Sequence, residues 1–300
     1  MRLLVIGASG FLGAHIRHRA RAAGMDVITA GRSPLPDSPG HQLADLAAAD
    51  PARLAAMLAK VAPDAVVNCC GATAGHPGAL IAANVNGTYA LVKAMLLAAI
   101  PARLVHLGSA AEYGRAEPGV PVTEQVVPRP TGIYGMTKLA GTRQVDLAAA
   151  AGLEAVVLRV FNPVGPGAPQ TGLPGRLAAE LRRALAHGTE VRLGSLDAVR
   201  DFVDARDVAD AAFAAAAAAA LPRPVLNIGS GRGVPVRALV SDLAAAAGYT
   251  AAVHEDAPGS SRSAEIPWQQ ADISCATQDL GWRPRRDLAT SLADLWKASA

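Results

Sequence analysis

Tyr134 and Lys138 lie four residues apart, and a helical stretch Tyr134-Gly135-Met136-Thr137-Lys138 would put both on one face, a single turn apart. An ammonium beside a phenol favours the phenolate and lowers a pKa that is ~10 when unperturbed. Lowering it by ~3 units takes ~4 kcal/mol of differential stabilisation, which a buried cation together with a second positive charge on a bound ring can supply. The product is an acid able to protonate a carbonyl oxygen near neutral pH. Many helices carry such a pair as a solvated surface feature. It becomes chemistry only with a nucleotide site upstream and a hydroxyl partner, and Ser109, at the end of the apolar run 104–108, offers the hydroxyl.

The elements needed to position these groups are visible in order. An apolar run at 2–6 leads into Gly7-Ala8-Ser9-Gly10-Phe11-Leu12-Gly13 and then a helical pattern ending near Gly24. Strand, glycine turn and helix make an anion cradle, in which backbone N–H groups meet a pyrophosphate with no Cβ in the way. Gly7, Ser9, Gly10, Phe11, Leu12 and Gly13 are therefore expected at a dinucleotide. The next strand, 27–30, ends in Gly31-Arg32-Ser33. An acid there would grip the ribose 2′-OH of NAD, whereas an arginine accommodates the 2′-phosphate of NADP. Arg32 and Ser33 thus favour NADP(H), with NAD(H) the alternative. After a short third strand Asp45 and Leu46 are placed to meet the adenine. The buried strand expected at 65–70 ends at Cys70-Gly71-Ala72, small enough to admit the cofactor, with Thr73 beyond it toward the substrate. A helix opens at Asn84 and runs to about 99, and Asn84 is read as a further cofactor contact. Ser109 and Ala110 follow the fifth strand, at the carboxyl edge where open α/β sheets place ligands. The Pro/Gly-rich loop 115–132 is expected to wall that crevice, and a sixth strand at 154–160 leads into Phe161 and Asn162. Helical patterns follow near 172–187, 207–220, 234–247 and 288–298.

Composition narrows the class. The 300 residues suffice for a nucleotide domain with a smaller companion, and 51% hydrophobic residues with 4% aromatics imply an Ala/Val/Leu core. A net charge of +3 argues for neither nucleic acid nor a membrane surface. The basic cluster Arg17, His18, Arg19, Arg21 reads as the wet face of the first helix. Three cysteines, two of them adjacent, suggest no disulfide framework and a reduced, cytoplasmic protein. The seven histidines show no HxxxH or HxH spacing, so no metal site is expected.

With Gly7, Gly10, Gly13, Ser109, Tyr134 and Lys138 in place, the chain resembles the extended short-chain dehydrogenases/reductases that act on nucleotide sugars. Further segments carry the likeness along nearly the whole chain: Pro121-Val122-Thr123-Glu124, Pro128-Arg129-Pro130, Arg159-Val160-Phe161-Asn162-Pro163, and Leu280-Gly281-Trp282 with Pro284. The run from Gly194 to Phe202 and Asp204-Ala205-Arg206-Asp207-Val208 are especially similar to GDP-4-keto-6-deoxymannose reductases, and Arg262-Ser263-Ala264-Glu265 is similar to the family's diphosphate-binding segment. The resemblance implies that Ser109 hydrogen-bonds the substrate oxygen, Tyr134 is the acid/base, and Lys138 holds the nicotinamide ribose. It also implies that Phe161 borders the cofactor, that Arg200 and Arg262 hold a diphosphate as charge-assisted donors, and that Asn162 touches the same nucleotide. A homodimer packed through helices near 84–99 and 134–150 is implied as well.

Two departures narrow the reaction. The dehydratases of this family follow the catalytic hydroxyl with an acid pair; here Ala110 and Ala111 stand instead, and strand alternation would turn Glu112 elsewhere. The NAD-type acid after the second strand is also missing, which leans toward net reduction with NADPH. The expectation is an α/β protein with a Rossmann-type doubly wound parallel sheet in residues 1–160, part of 201–228 returning to it. A smaller mixed α/β substrate domain is expected from 161–200 and 229–300. Its expected activity is NADPH-dependent reduction of a nucleoside-diphosphate 4-keto-6-deoxyhexose. A nucleotide-sugar epimerase that recycles its cofactor, a reductase of a non-sugar carbonyl, and a non-catalytic NADP-binding regulator are the alternatives.

Overall fold

Short, uninterrupted apolar runs such as Leu3-Leu4-Val5-Ile6 have no polar face to offer water, so they are stable only between two layers of helix. The computed structural model, which describes residues 1–257 and 266–299, builds them into one parallel sheet. Its strands are β1 (Arg2–Ile6), β2 (Asp26–Gly31), β3 (Gln42–Leu43), β4 (Ala65–Asn68), β5 (Arg103–Ser109), β6 (Ala155–Val160) and a later strand, Val225–Ile228. Their order across the sheet is Val225–Ile228, β6, β5, β4, β1, β2, β3. The order reverses beside β1, so the crevice at the carboxyl edge opens above β1, β4 and β5.

Helices cover both faces. On one lies α1 (Phe11–Ala22); on the other lie α2 (Pro51–Val61), the stretch Pro77–Ala98 and the helix Ile133–Ala150. Asp50 caps α2 by accepting from the Ala52 N–H at 3.1 Å, and Pro51 sets its first turn. The helix expected to open at Asn84 starts earlier: α3 (Pro77–Ile81) continues through a π turn at Ala82–Asn86 into α4 (Gly87–Ala98). Pro77 at the first turn and the His76 side chain accepting from Ala79 N explain that earlier start. By length and composition Pro77–Ala98 could cross a membrane; half of that stretch is buried inside the fold.

The helix Ile133–Ala150 (α5) crosses back to β6, and β7 (Asn162–Val164) leaves the sheet for a second core. That core gathers α6 (Leu173–His187), α7 (Ala205–Ala217) at its border, α8 (Val236–Ala246) and a terminal helix, Leu288–Ala298, around Leu177, Leu181, Leu239, Leu243 and Leu292. Small pairings frame it: β8 (Val191–Arg192) with Val253–His254, and β9 (Val199–Arg200) between Val234–Pro235 and Trp268–Gln269. A strand at Phe202–Asp204, β10, pairs with β7, and the edge strand Val225–Ile228 is β11. The range 229–300 expected for this second unit is interrupted. Ala276 and Trp282 pack in the core under α1 and α7, with the Trp282 indole donating to Asp207 O at 2.9 Å. The basic face of α1 is also more than wet surface. Arg19 pairs with Asp210 at 2.5 Å and lies 4.1 Å over the Phe213 ring, which ties α1 to α7.

Candidate active site and cofactor cradle

The turn between β1 and α1 is built for close approach. Gly7 sits at φ +80°, and a Cβ on Gly13 would overlap the Gly7 carbonyl oxygen. Gly10 opens α1 without a side-chain cap among the described residues, so the first N–H groups of that helix keep their affinity for an anion. This uncapped end over a glycine turn fits a dinucleotide pyrophosphate. Gly7 also abuts Cys70 at the end of β4: its Cβ position lies 3.1 Å from Cys70 Sγ. Burial pushes the Cys70 thiol up to about 11; Arg32 pulls against that and Asp45 adds to it, so both charges lie within electrostatic reach of this point.

Three expected cofactor contacts are reassigned by the structure. Asn84 is buried and its side chain is fully bracketed: Oδ1 accepts from Ala72 N at 2.9 Å, and the amide donates to Ala72 O at 2.9 Å and Thr137 Oγ1 at 3.0 Å. It fixes the 71–73 segment to α5 instead of presenting a free group. Leu46 is buried against Gly87, where a Cβ on the helix would stand only 3.2 Å from the Leu46 Cβ. Phe161 is 0% exposed, at the centre of a small core with Tyr113, Val122 and Ala271, because β6 ends by turning inward toward β11. Asp45 caps a turn by accepting from Ala47 N. Arg32 and Ser33 follow β2 on the surface.

Tyr134 and Lys138 stand one turn apart on α5, as their spacing requires. Lys138 is almost wholly buried; its ammonium donates to Leu107 O at 2.6 Å and lies 3.8 Å from the Cβ position of Gly71. It therefore joins α5, the carboxyl end of β5 two residues before Ser109, and the cradle segment after β4. Burial holds its pKa below the usual lysine range, and the nearby Glu112 carboxylate is the main opposing influence.

Ser109 ends β5 in an extended conformation, and a tight turn over Ala110–Glu112 follows. The Ser109 hydroxyl accepts from Ala111 N at 3.2 Å, while the Ser109 N–H donates to Glu112 Oε1 at 2.8 Å. Glu112 thus faces away from the crevice, as expected, but a helical turn directs it there rather than strand alternation. Its other oxygen accepts from Thr142 Oγ1 at 2.9 Å and from Arg159 Nε at 2.8 Å. Arg159 in turn lies 4.5 Å over the Tyr113 ring, and the Tyr113 hydroxyl donates to Asn227 at 2.7 Å. One signal for this network stood in the sequence: a lone arginine inside the apolar strand Ala155–Val160 needs a buried counter-charge.

The expected substrate residues are split. Thr73 is exposed beside the cradle. Ala110 is buried, and its carbonyl accepts from Gln269 Nε2 at 2.9 Å, a contact that spacing gave no means to foresee. Asn162, half-buried, donates to Asp201 O at 2.8 Å, beside the β7–β10 pair. Arg200 is half-buried on β9, donates to Val199 O at 2.9 Å, and has its pKa lowered by burial. Arg262 lies outside the described residues. Asp201 beside Arg200 accepts from Ser230 N, Ser230 Oγ, Gly231 N and Ala271 N at 2.6, 2.7, 2.9 and 3.0 Å. It locks the Arg200 strand to the end of β11. Among the described residues there is no group of three or more His, Cys, Asp or Glu side chains that could hold a metal ion.

His106, on β5, sits behind this site with Asn68 Nδ2 3.1 Å from its Nδ1. Burial first, and the Lys138 charge second, hold its pKa well below the ordinary 6.5. The unfolded chain therefore binds a proton that the folded chain refuses. This contribution to stability is complete above pH 6.5 and is lost below it at up to about 1.4 kcal/mol per pH unit. Urea unfolding between pH 7 and 5 should show the decline, and His106→Gln should flatten it. A wild-type stability that is level across that interval would refute this assignment.

The chain matches the NAD dependent epimerase/dehydratase family over residues 3–229. It is 39% identical to a dTDP-6-deoxy-L-talose 4-dehydrogenase (NAD(P)(+)) of Kitasatospora kifunensis, over 100% of this chain and 96% of that one. It is 26% identical to a GDP-6-deoxy-D-mannose reductase of Pseudomonas aeruginosa, over 97% and 94% of the two chains. Among solved structures, MoeE5 in complex with UDP-glucose and NAD superposes with a TM-score of 0.84 at 30% identity, covering 100% of this chain and 98% of that chain. With a glycine cradle, a Ser/Tyr/Lys set and this match along its length, the chain belongs to the NAD dependent epimerase/dehydratase family, within the extended short-chain dehydrogenases/reductases.

Proposed function

We propose that the protein is an NADPH-dependent ketoreductase acting on a nucleoside-diphosphate 4-keto-6-deoxyhexose. One observation supports the reading: the Lys138 ammonium holds Leu107 O and so ties α5, which carries Tyr134 one turn away, to β5, which ends at Ser109. NADPH, when bound, supplies the hydride. Tyr134 is the acid that gives its proton to the carbonyl oxygen, and Ser109 donates a hydrogen bond to the same oxygen. Lys138 favours the phenolate that remains and holds the cofactor ribose. Arg200 is proposed to bind the diphosphate, whose remote binding energy orients the sugar carbonyl.

Elimination of water is disfavoured because Ala110 and Ala111 cannot exchange protons and Glu112 is closed off by Arg159. The relative named as a 4-dehydrogenase is named for hydride transfer at the same sugar position in the opposite direction, and a hydride transfer is reversible. A homodimer is proposed through the exposed Tyr89, Leu96 and Leu97 of α4 and Leu147 of α5; a monomeric mass in sedimentation would remove it.

The test is loss of nicotinamide absorbance when the protein meets NADPH or NADH with a set of dTDP- and GDP-4-keto-6-deoxyhexoses. Substrate-dependent oxidation, faster with NADPH, is the expected result, and the active substrate names the nucleotide. No oxidation with any of them, together with interconversion of sugar epimers at constant cofactor, would replace the reductase by an epimerase.

A further inference from the structure

Side chains alternate along β2. Ile28 and Ala30 enter the core under α2 and α4, and Val27 the core under α1. Gly31 continues the row of Val27 and Thr29, at the carboxyl edge beside the glycine turn. A carboxylate at that point would grip the ribose 2′-OH of NAD. Gly31 has no side chain, yet the space is filled. The imidazole of His41 lies there, with Cε1 at 3.7 Å and Nε2 at 3.9 Å from where a Cβ on Gly31 would stand.

The ring is held upright. The buried Thr29 hydroxyl meets Nδ1 at 2.7 Å, and when it donates there the hydrogen of the neutral ring is on Nε2. The loop that delivers His41 is fixed to α1: Arg17 and Arg21 reach Ser38 Oγ at 3.2 and 2.7 Å, and Arg17 reaches Asp37 at 2.7 Å. Nε2 itself is buried and has no partner among the described residues. Leaving a buried polar group unpaired is costly, and of eight such side-chain atoms among the described residues this one lies against Gly31, next to Arg32 and Ser33 in the chain.

We propose that His41 completes the 2′-phosphate site of NADP(H) with Arg32 and Ser33, its Nε2 donating to the phosphate where an NAD-type site presents a carboxylate. This rests on the NADPH reading above. A nitrogen donor in place of an acid reverses the preference at one position: it attracts the phosphate and gives the free 2′-OH no acceptor.

Calorimetric titration with adenosine 2′,5′-bisphosphate and adenosine 5′-monophosphate tests the site without turnover. Wild type should bind the bisphosphate more tightly. His41→Phe should lose about tenfold in bisphosphate affinity with the monophosphate unchanged, and His41→Gln, which keeps an N–H donor, should recover most of it. Arg32→Ala is the control for the underlying reading. Equal wild-type affinity for both ligands overturns the NADPH reading and His41's part with it. A wild-type preference that Arg32→Ala abolishes but His41→Phe preserves overturns His41 alone. An equal loss for both ligands in His41→Phe marks a merely structural ring and also overturns it.

Discussion

Tyr134→Phe is expected to lower kcat by about three orders of magnitude, within the range that general acids contribute. The substitution removes one oxygen and keeps the ring, and two bonds that anchor this turn of the helix stand on other atoms. Thr137 Oγ1 donates to the Tyr134 backbone carbonyl at 2.9 Å, and Lys138 keeps its own bond to Leu107 O. The glycine turn and the uncapped α1 terminus are on other elements, so NADPH affinity measured by fluorescence should stay within about twofold. What is lost is proton delivery to the carbonyl oxygen, leaving Ser109 to polarise a group that nothing nearby protonates. A variant retaining a tenth or more of wild-type turnover would remove Tyr134 from the acid's role, whatever the substrate proves to be.

Glu112→Leu is expected to damage the protein in two separable ways. The carboxylate is 0% exposed and accepts from Ser109 N, Thr142 Oγ1 and Arg159 Nε. Removing it leaves the Arg159 guanidinium, itself buried, without a counter-charge, and breaking such a pair costs about 3–5 kcal/mol. Urea unfolding should show that loss. In Glu112→Leu/Arg159→Met both charges are gone and much of the stability should return, because a buried pair replaced by apolar groups is often near neutral. Turnover should not return with it. Ser109 has still lost the acceptor that fixes its peptide, and Lys138 has lost the charge that chiefly opposes its desolvation. The alkaline limb of the pH–rate profile should therefore move to lower pH in both variants. Full activity in the double variant would reduce Glu112 to a packing element.

The parts of the site that sequence reading reached are those defined by short spacing. Gly7, Gly10 and Gly13 fall within one turn, and Tyr134 and Lys138 within another, so backbone geometry relates them with little help from the rest of the chain. Groups whose partners are distant were not legible. Glu112 and Arg159 are 47 residues apart, and nothing local tells which buried acid meets which buried base. Asn84 and Phe161 show the opposite error. Both are expected at the cofactor, but one is held in a hydrogen-bonded bracket and the other is closed in a small core. His41 is silent in the sequence because the loop delivering it has no strand or helix pattern. Its meaning comes from Gly31, which is informative only once the space beside it is seen to be filled.

Gln269 donates to the carbonyl of Ala110 across 159 residues of chain, and Tyr113 reaches Asn227 across 114. A ribosome adding ~5–20 residues per second needs roughly 8–30 s to pass from the first of these partners to the last. For that interval the Ala110 carbonyl and the Tyr113 hydroxyl in and after this turn lack the late-made partners that hold them in the folded chain. Ser109, Tyr134 and Lys138 are all made early, but the backbone that aims Ser109 is completed late. Catalytic competence therefore waits for residue 269, and polypeptides stalled or cleaved before it should be inert even where their sheet has formed.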